Sequence, residues 1–432
     1  MSAKVLQLHP QPSPVGHFLR VGHSGFRQLE TLQASGRLPA NRFVVEAARI
    51  DEQRDLIDAV RRAGSELILD SNAAELATVG RYQGAARRLP WANPERPWSP
   101  DDFGTAATET FVSALARFAV ENRVHTILSP TRVIDSPLND WLRVDLLTCE
   151  ALRVALDREG GKGIAIDYPL LVSYSSVRDE AHRRAYIARL KDLPCDYVWL
   201  RISGFGADAT PVGLRRYLNA SHEFHVLDKP VVADGVGGFA GLAIVAFGGA
   251  AAISHGVAER ERFNAVEWRR ATSGGGGGQT TRVYVPALDR HLDVSLARKL
   301  FELRGVKSQI GCNDIDCCPM GVADTLRAPK AHFLNQRARQ LDEISSVPEL
   351  RRVGHFIDHV LRPAERTSRK VAKIDTGQNA LNEMLSAQHH RISELVKVLV
   401  DLHETAPDAS RSLPVESRAR RLTSEESRRE RS

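Results

Sequence analysis

The sequence has little cysteine, five residues in a chain of 432. So few cysteines in a long chain argue against a disulfide-stapled secreted fold. The sequence also lacks an apolar run of about 18 residues, the length that a membrane-spanning helix needs. The first residues, MSAKVLQLHPQPSPVGHF, show neither the apolar core nor the cleavage site of a secretory signal. We therefore expect a cytoplasmic protein with no membrane partner.

The composition is that of a globular protein, with 42% hydrophobic and 26% charged residues. The formal net charge is +6 at pH 7. A modest positive charge permits binding to nucleic acid but does not require it, because many enzymes are slightly basic.

Eight short β-rich runs, each followed by a helical stretch, occupy residues 18–257. The runs are FLRVGHSG (18–25), RFVVEAA (42–48), ELILDSN (66–72), HTILSPTR (125–132), GIAIDYPLL (163–171), YVWLRISG (197–204), PVVADGV (230–236) and AAISHGV (251–257). Regular alternation of strand and helix predicts a parallel sheet. Eight units favour an α/β fold closed into a (β/α)₈ barrel over an open doubly wound sheet.

The pattern divides the chain into five segments. They are an N-terminal extension (1–17), the barrel (18–272), a glycine linker with a zinc-binding element (273–345), a helical extension (346–404) and a tail (405–432). The tail has almost no apolar residues, which predicts disorder. Within the barrel, the stretch from Tyr82 to Asp102 is a long insertion after the third strand, rich in Pro, Trp and Arg.

Apolar residues spaced by three and four continue through the helical extension. They are Leu381, Leu385, Ile392, Leu395, Leu399 and Leu402. This spacing is typical of a helical seam. The seam can join two copies of the chain into a homo-oligomer or pack back onto the barrel, and the sequence leaves both open.

Polar residues follow most of the predicted strands, and the carboxyl ends of barrel strands are where such folds place their chemistry. Asp70, Asp167 and Asp234 stand at three of these ends. Two carboxylates that share a cavity can act as nucleophile and general acid/base. The competing interpretation is that each only caps the helix after it. Further candidates for substrate contacts at strand ends are Ser71, Asn72, Arg201 and His255.

Glycines lie in the seventh and eighth loops, in VADGVGG (232–238) and ISHG (253–256). Gly237 and Gly238 precede a predicted helix, and backbone N–H groups at such a place can approach a phosphate or a flat ring.

Three of the five cysteines gather in IGCNDIDCCPMG (310–321). Cys312, Cys317 and Cys318, followed by His332, offer the three sulfurs and one nitrogen of a tetrahedral structural zinc site. The cluster contains no C-x-x-C at a helix start, so a redox pair is disfavoured, and buried free thiols are the remaining alternative.

A barrel followed by a three-cysteine, one-histidine element resembles the tRNA-guanine transglycosylase superfamily. Its members exchange guanine in a nucleic acid for a deazaguanine base, and some paralogues act on DNA. ELILDSNAAELA is similar to the family's Asp-Ser strand end, VADGVGG to its Gly-Val-Gly turn, and the Cys312–His332 run with the helix after it to its zinc site.

The resemblance implies roles for individual residues. Asp70 would manage protons on the departing base beside Ser71 and Asn72, and Asp167 would pair with the base's Watson–Crick edge. No carboxylate stands where the family has its nucleophile, because this chain reads Ser254-His255 there. Asp234 is the candidate replacement, attacking the sugar C1′.

Two other functions remain open. One is a barrel enzyme acting on a phosphorylated small molecule, with the three aspartates binding a divalent metal or doing acid/base work. The other is a non-catalytic protein that binds nucleic acid or assembles with partners. A purine base and DNA or tRNA are the partners that the first hypothesis requires.

Overall fold

Eight short parallel strands close into a barrel. The computed structural model describes residues 12–23, 25–257, 261–269, 281–406 and 409–419. The strands are β1 (Gly16–Val21), β2 (Arg42–Glu46), β3 (Glu66–Asp70), β4 (Thr126–Leu128), β5 (Ala165–Ser173), β6 (Tyr197–Ser203), β7 (Phe205–Gly206), β8 (Val231–Asp234), β9 (Ala252–Gly256), β10 (Arg262–Phe263), β11 (Arg282–Val285) and β12 (Arg290–Asp293). The barrel order is β1-β2-β3-β4-β5-β6-β8-β9, and β9 pairs with β1. The predicted (β/α)₈ barrel is confirmed, with one strand in each of the eight predicted runs.

Helices connect the barrel strands and form most of the C-terminal region. They are α1 (Phe26–Ala34), α2 (Arg54–Arg62), α3 (Ala73–Leu76), α4 (Thr105–Glu121), α5 (Asp140–Arg158), α6 (Tyr174–Arg178), α7 (Glu180–Leu190), α8 (Pro211–Glu223), α9 (Gly238–Ala246), α10 (Ala265–Trp268), α11 (Val294–Glu302), α12 (Val306–Ile310), α13 (Val322–Arg327), α14 (Pro329–Ser345), α15 (Arg352–His355), α16 (Arg362–Val371) and α17 (Asn379–Thr405). No helix in the described ranges is long and apolar enough to cross a membrane.

Local sequence signals fix several of these helix starts. The Asn139 side chain accepts from the N–H of Trp141 at the start of α5, and Thr210 accepts from Gly213 at the start of α8. Such caps satisfy backbone donors that have no partner inside the helix. Because the caps lie in the loops after strands, they fix where each strand gives way to its helix.

The barrel interior is layered along its axis, because alternate residues of each strand point inward. An apolar middle layer includes Phe18, Val44, Ile68, Leu128, Trp199 and Val232. Above it, at the carboxyl ends of the strands, the inward positions are charged. Below it, at the amino ends, Glu66 and Asp167 are also buried. The apolar layer therefore separates two polar ends, which we call the mouth and the floor.

The predicted seam on α17 packs inside the chain. Leu381, Leu385, Ile392, Leu395, Leu399 and Leu402 are all buried. α17 contacts α16, α8 and the π-helix Phe356–Leu361. Of the two interpretations of this pattern, the structure thus shows packing back onto the body of the protein.

Part of the C-terminal tail is ordered, contrary to the prediction of disorder. Residues 409–419 run across the floor of the barrel, where Val415 and Arg418 are buried. The prediction failed because the few apolar and charged groups of this segment meet a matching surface that its composition does not reveal. Residues 420–432 lie outside the described ranges, as does the predicted glycine linker except Thr281.

The other predicted boundaries shift slightly. β1 begins at Gly16, so the last two residues of the predicted extension 1–17 belong to the barrel. In the insertion after β3, Trp91 is buried against Phe118 and its indole N–H donates to the carbonyl of Ser71. Trp91 therefore packs the loop onto the barrel.

The α17 seam yields a stability prediction. Leu395 is 1% exposed, so Leu395→Ala should lower the free energy of unfolding by about 2–5 kcal/mol through lost burial and a cavity. Urea denaturation measures the change, and Lys397→Ala, at a 69% exposed side chain, is the control. If the seam instead joined two copies, Leu395→Ala would change the mass measured by light scattering while leaving the monomer's stability intact.

Candidate functional site

Two predicted carboxylates meet at the mouth through an arginine that the sequence did not single out. Arg20, near the end of β1, donates from Nε and Nη2 to the two oxygens of Asp234 at 2.8 and 2.7 Å. Its Nη1 donates to Asp70 Oδ2 at 2.7 Å. The guanidinium thus bridges the ends of β3 and β8, and two buried negative charges are held together by one positive group.

Asp234 is the more enclosed of the two carboxylates. Its side chain is 0% exposed, and Arg201 Nε lies 3.2 Å from Oδ2. Burial alone would raise the pKa of Asp234, but the charges of Arg20 and Arg201 and the hydrogen bonds from Arg20 hold it below its usual value. Asp70 has 14% of its side chain exposed and faces the cavity. The predicted pair of carboxylates is present. Asp70 is accessible from the cavity, whereas Asp234 is enclosed and held by Arg20.

Glu75 is a mouth residue that the sequence reasoning missed. It lies on the short helix α3 and lines the same cavity as Asp70 and Glu46. Burial raises its pKa, the negative charges of Asp70 and Glu46 raise it further, and although Arg201 lowers it the pKa reaches about 7. A carboxyl group with this pKa can donate or accept a proton near neutral pH.

The mouth opens into a cavity of about 910 Å³. Its wall includes Arg20, Glu46, Arg49, Asp70, Asn72, Glu75, Arg81, Arg201, Arg262 and Trp268. The volume lies in the range of small-molecule sites, about 300–1,000 Å³. The wall mixes carboxylates and guanidiniums, so it suits a ligand that offers both hydrogen-bond donors and acceptors.

Ser71 and Asn72 occupy different environments. Asn72 lines the cavity with φ of 57°, in the left-handed region, and its Oδ1 accepts from the N–H of Ala48 at 3.0 Å. Ser71 is buried, and its hydroxyl lies 3.4 Å from the N–H of Ala73. Asn72 therefore shapes the mouth, whereas Ser71 organises the turn into α3.

The prediction that Asp167 reaches the mouth is wrong. Asp167 is the third residue of the nine-residue strand β5 and pairs with Tyr197, the first residue of β6, which places it at the floor. It accepts from Trp199 Nε1 and from Arg418 Nη2, both at 2.9 Å. Burial raises its pKa to about 6, although Arg418 lowers it. The prediction placed the end of the strand at Asp167, in the middle of the run 163–171. β5 instead continues to Ser173.

His255 also lies away from the mouth. It points out of the barrel, where its Nε2 is 3.1 Å from His17 Nε2 and its ring packs edge-on against Phe333. Burial lowers the pKa of His255, so a neutral packed imidazole is expected. Its neighbour Ser254 is the inward residue and pairs in register with Asp234.

The glycine turn before α9 is filled by a carboxylate of the protein itself. Glu261 Oε1 accepts from the N–H of Gly238 at 3.2 Å and from Arg337 Nη2 at 2.8 Å. A Cβ on Gly237 would lie 1.7 Å from that same oxygen. Gly237 is therefore required by the contact with Glu261, and Gly238 by its φ of 60° and by Asp289, whose Oδ1 would lie 2.8 Å from a Cβ there. The N–H of Gly238 is occupied by Glu261 and is not presented to a phosphate.

The cysteine cluster forms a metal-binding geometry. The sulfurs of Cys312, Cys317 and Cys318 and a ring nitrogen of His332 all lie within 4.8 Å of one another. Cys317 and Cys318 Sγ are 3.7 Å apart, and each is 3.4 Å from His332 Nδ1. Four ligands around one zinc ion at about 2.3 Å would place sulfurs about 3.8 Å apart. Adjacent Cys317 and Cys318 both point into the cluster.

Surrounding groups orient these ligands. His332 Nε2 lies 3.0 Å from the carbonyl of Tyr284 on β11, which accepts its proton and leaves Nδ1 free to bind a metal. One turn later on α14, Gln336 Nε2 donates to Cys312 Sγ at 3.6 Å. The three sulfurs and one nitrogen, with the contacts that orient them, therefore fit a metal ion with tetrahedral coordination. The other two cysteines, Cys149 and Cys195, are buried elsewhere.

Comparisons with known proteins do not assign the chain to a family. No family model and no curated protein matches the sequence. Solved structures that it resembles include a GH18 chitinase from Pseudoalteromonas aurantia (14% identity, TM-score 0.36, 56% of this chain and 93% of that one). Others are the endo-1,4-beta-xylanase XylE of Penicillium canescens (12%, 0.37, 55% and 81%) and KGPDC from Streptococcus mutans (12%, 0.32, 60% and 95%). Likeness this distant says nothing about the reaction.

Glu75 gives the mouth a pH-dependent stability. With a pKa raised from 4.5 to about 7, Glu75 costs no stability below pH 4.5 and destabilises the fold increasingly as the pH rises through 7. Glu75→Gln should therefore be more stable than the parent at pH 8, by about 1–3 kcal/mol, and equal to it at pH 4. Urea midpoints at both pH values measure this, with the exposed Glu109→Gln on α4 as control. Equal gains at both pH values would refute a titrating Glu75.

The cysteine cluster predicts metal content. Purified protein should hold about one ion per chain, and Cys318→Ser should lose most of it because three ligands bind much more weakly than four. Elemental analysis measures the ion, and Cys149→Ser, at a buried thiol of α5, should retain it. Stable, folded parent protein that carries no metal would contradict the assignment.

Proposed function

We propose that the protein is an enzyme that binds a guanine or 7-deazaguanine base of DNA or RNA in the barrel mouth and exchanges it. The observation that carries the proposal is the presence of two unlike carboxyl groups in one cavity. Asp70 is ion-paired with Arg20, whereas Glu75 has a pKa near 7. Neighbouring groups with different proton affinities are the usual arrangement for acid and base catalysis.

The chemistry follows from these two roles. As the bond between the sugar C1′ and the base breaks, its electron pair moves to the base nitrogen, and Glu75 donates a proton there. The carboxylate of Asp70 stabilises the positive charge that develops on the sugar. An incoming base then attacks C1′ and loses its proton to Glu75, which restores the enzyme.

Guanine suits this wall because its edge presents adjacent N1–H and N2–H donors, which a carboxylate can accept together. The combination of a (β/α)₈ barrel with a Cys₃His cluster also supports the resemblance to base-exchanging transglycosylases. Asp234 takes a different role from the one first expected. Both its oxygens accept from Arg20, so it positions that arginine and does not attack C1′.

We assign zinc to the Cys₃His cluster, with a structural role. Zinc prefers sulfur and nitrogen donors, and a site with four protein ligands leaves no open position for a substrate. Bound zinc would hold the loop 312–318 against α14 and takes no part in the exchange.

A small-molecule enzyme is the second candidate, favoured by the cavity volume of about 910 Å³. Two features argue against its original form. Glu261 covers the glycine turn where a phosphate was expected, and Arg20 fills the space between Asp70 and Asp234 where a divalent metal was expected.

The test is nucleoside mass spectrometry on total DNA and total RNA from cells with and without the gene. We expect a deazaguanine nucleoside in one pool that disappears on deletion and stays absent with Asp70→Asn or Glu75→Gln. Glu109→Gln should restore it, because that exposed side chain on α4 does not line the cavity.

Unchanged nucleosides in both pools would reject base exchange. Calorimetry of the purified protein with guanine then separates the remaining functions. Guanine binding that Asp70→Asn abolishes would leave base recognition without exchange. If guanine does not bind, salt-dependent binding of nucleic acid that ignores Asp70→Asn would indicate a binding protein.

A further inference from the structure

The floor of the barrel contains a pocket in which two buried carboxylates meet two guanidinium groups, those of Arg42 and Arg418. Asp167 and Glu66 are 0% and 1% exposed at the amino ends of β5 and β3. Arg418 donates from Nη2 to Asp167 Oδ1 and from Nη1 to Thr126 Oγ1, both at 2.9 Å. Its backbone N–H lies 3.4 Å from Glu66 Oε2. A buried carboxylate is costly unless a partner compensates its charge. Arg418 is that partner for Asp167, and Arg42, with Nε 3.2 Å from Oε2, is the partner for Glu66.

The pocket is shaped for a planar cation. The guanidinium carbon of Arg418 lies 3.8 Å from the centre of the Tyr197 ring, a stacking distance. The two Nη groups point to different acceptors, which the fixed fork of a guanidinium can satisfy at once. A lysine ammonium has neither the flat face nor this fork, so the pocket selects arginine-like groups.

Two further residues of the tail, Ser412 and Val415, anchor it to the barrel. Ser412, Val415 and Arg418 are spaced three residues apart. Ser412 Oγ accepts from the N–H of Val231 at 2.8 Å. Val415 joins the apolar layer of the barrel, and a Cβ on Gly16 would come within 2.5 Å of it. Between Val415 and Arg418, the backbone N–H of Glu416 donates to Tyr197 Oη at 2.8 Å. Leu413, Pro414, Glu416 and Ser417 are exposed. The contacts therefore follow the pattern Ser-x-x-Val-x-x-Arg.

We propose that the floor of the barrel is a binding site for an arginine-bearing peptide of this pattern, and that residues 409–419 are its exchangeable occupant. The segment from Ala409 to Arg418 forms no helix or strand, so side-chain contacts and isolated backbone hydrogen bonds hold it. Beside the three anchors, Ser410 Oγ lies 2.9 Å from His225 Nδ1, and the N–H of Ser412 donates to the carbonyl of Gly248 at 2.9 Å. Segments held this way open more easily than the body of a fold. The site is independent of the mouth and of the base-exchange proposal.

Trp199 connects the two ends of the barrel. Its Nε1 donates to Asp167, and the guanidinium of Arg20 lies 5.9 Å from its ring on the mouth side. The fluorescence of Trp199 should therefore change when the pocket loses or regains its guanidinium, which provides a spectroscopic signal of occupancy.

The test uses the full chain carrying Val415→Ala and Arg418→Ala, which weakens the resident tail. A fluorescent peptide of residues 409–419 should bind this variant at least about tenfold more tightly than the parent, whose pocket is occupied. The peptide with Arg418→Lys should lose about tenfold or more in affinity. The chain with Ser417→Ala, at an exposed position, should behave like the parent.

Equal weak binding of the peptide to the folded variant and to the parent would overturn the proposal. Should the variant not fold, hydrogen exchange of the parent decides. The hydrogen-bonded amides of Ser412, Glu416 and Arg418 should be protected. Methylguanidinium should remove the protection, whereas methylammonium at the same concentration should not. Unprotected amides, or equal effects of the two cations, would reject the pocket.

Discussion

The barrel mouth depends on one ion pair network centred on Arg20. The neighbours of β1 are β2 and β9, and Arg20 reaches past each of them to β3 and to β8. Without the guanidinium, Asp70 and Asp234 would face each other at the mouth with no positive group between them, and their charges would repel. Burial, together with the negative charges of Asp70 and Glu46, raises the pKa of the next carboxyl group along the wall, Glu75.

The sequence predicted the barrel because eight strand–helix units repeat in it, and it predicted Asp70 and Asp234 because each ends a strand. The same rule misplaced Asp167, because β5 continues six residues beyond it to Ser173. Arg20 was overlooked because a charged residue inside an apolar run does not show which way it points. Glu75 lies on a helix, and its unusual pKa depends on distances to Asp70 and Glu46 that no sequence pattern contains.

The metal cluster and the tail show the same contrast. Three cysteines and a histidine at short spacing predict a metal site directly, because few other arrangements need that chemistry. The tail carries no comparable signal, because its polar composition resembles that of a disordered segment. Order arises only where Arg418 meets Asp167, a residue 251 positions earlier in the chain. Composition describes what a segment can bury on its own, and here the burial is supplied by the barrel.

Helix α14 gives the metal cluster a mechanical connection to the mouth. His332 holds the cluster at its first turn, and Arg337, five residues later, holds Glu261, which in turn fixes the turn from Gly237 to Gly238. Asp234 directly precedes that turn on β8. Helix α14 therefore connects the cluster to the residues that shape the mouth. A shift of His332 at the cluster would be passed through Arg337, Glu261 and the glycine turn to Asp234 at the mouth.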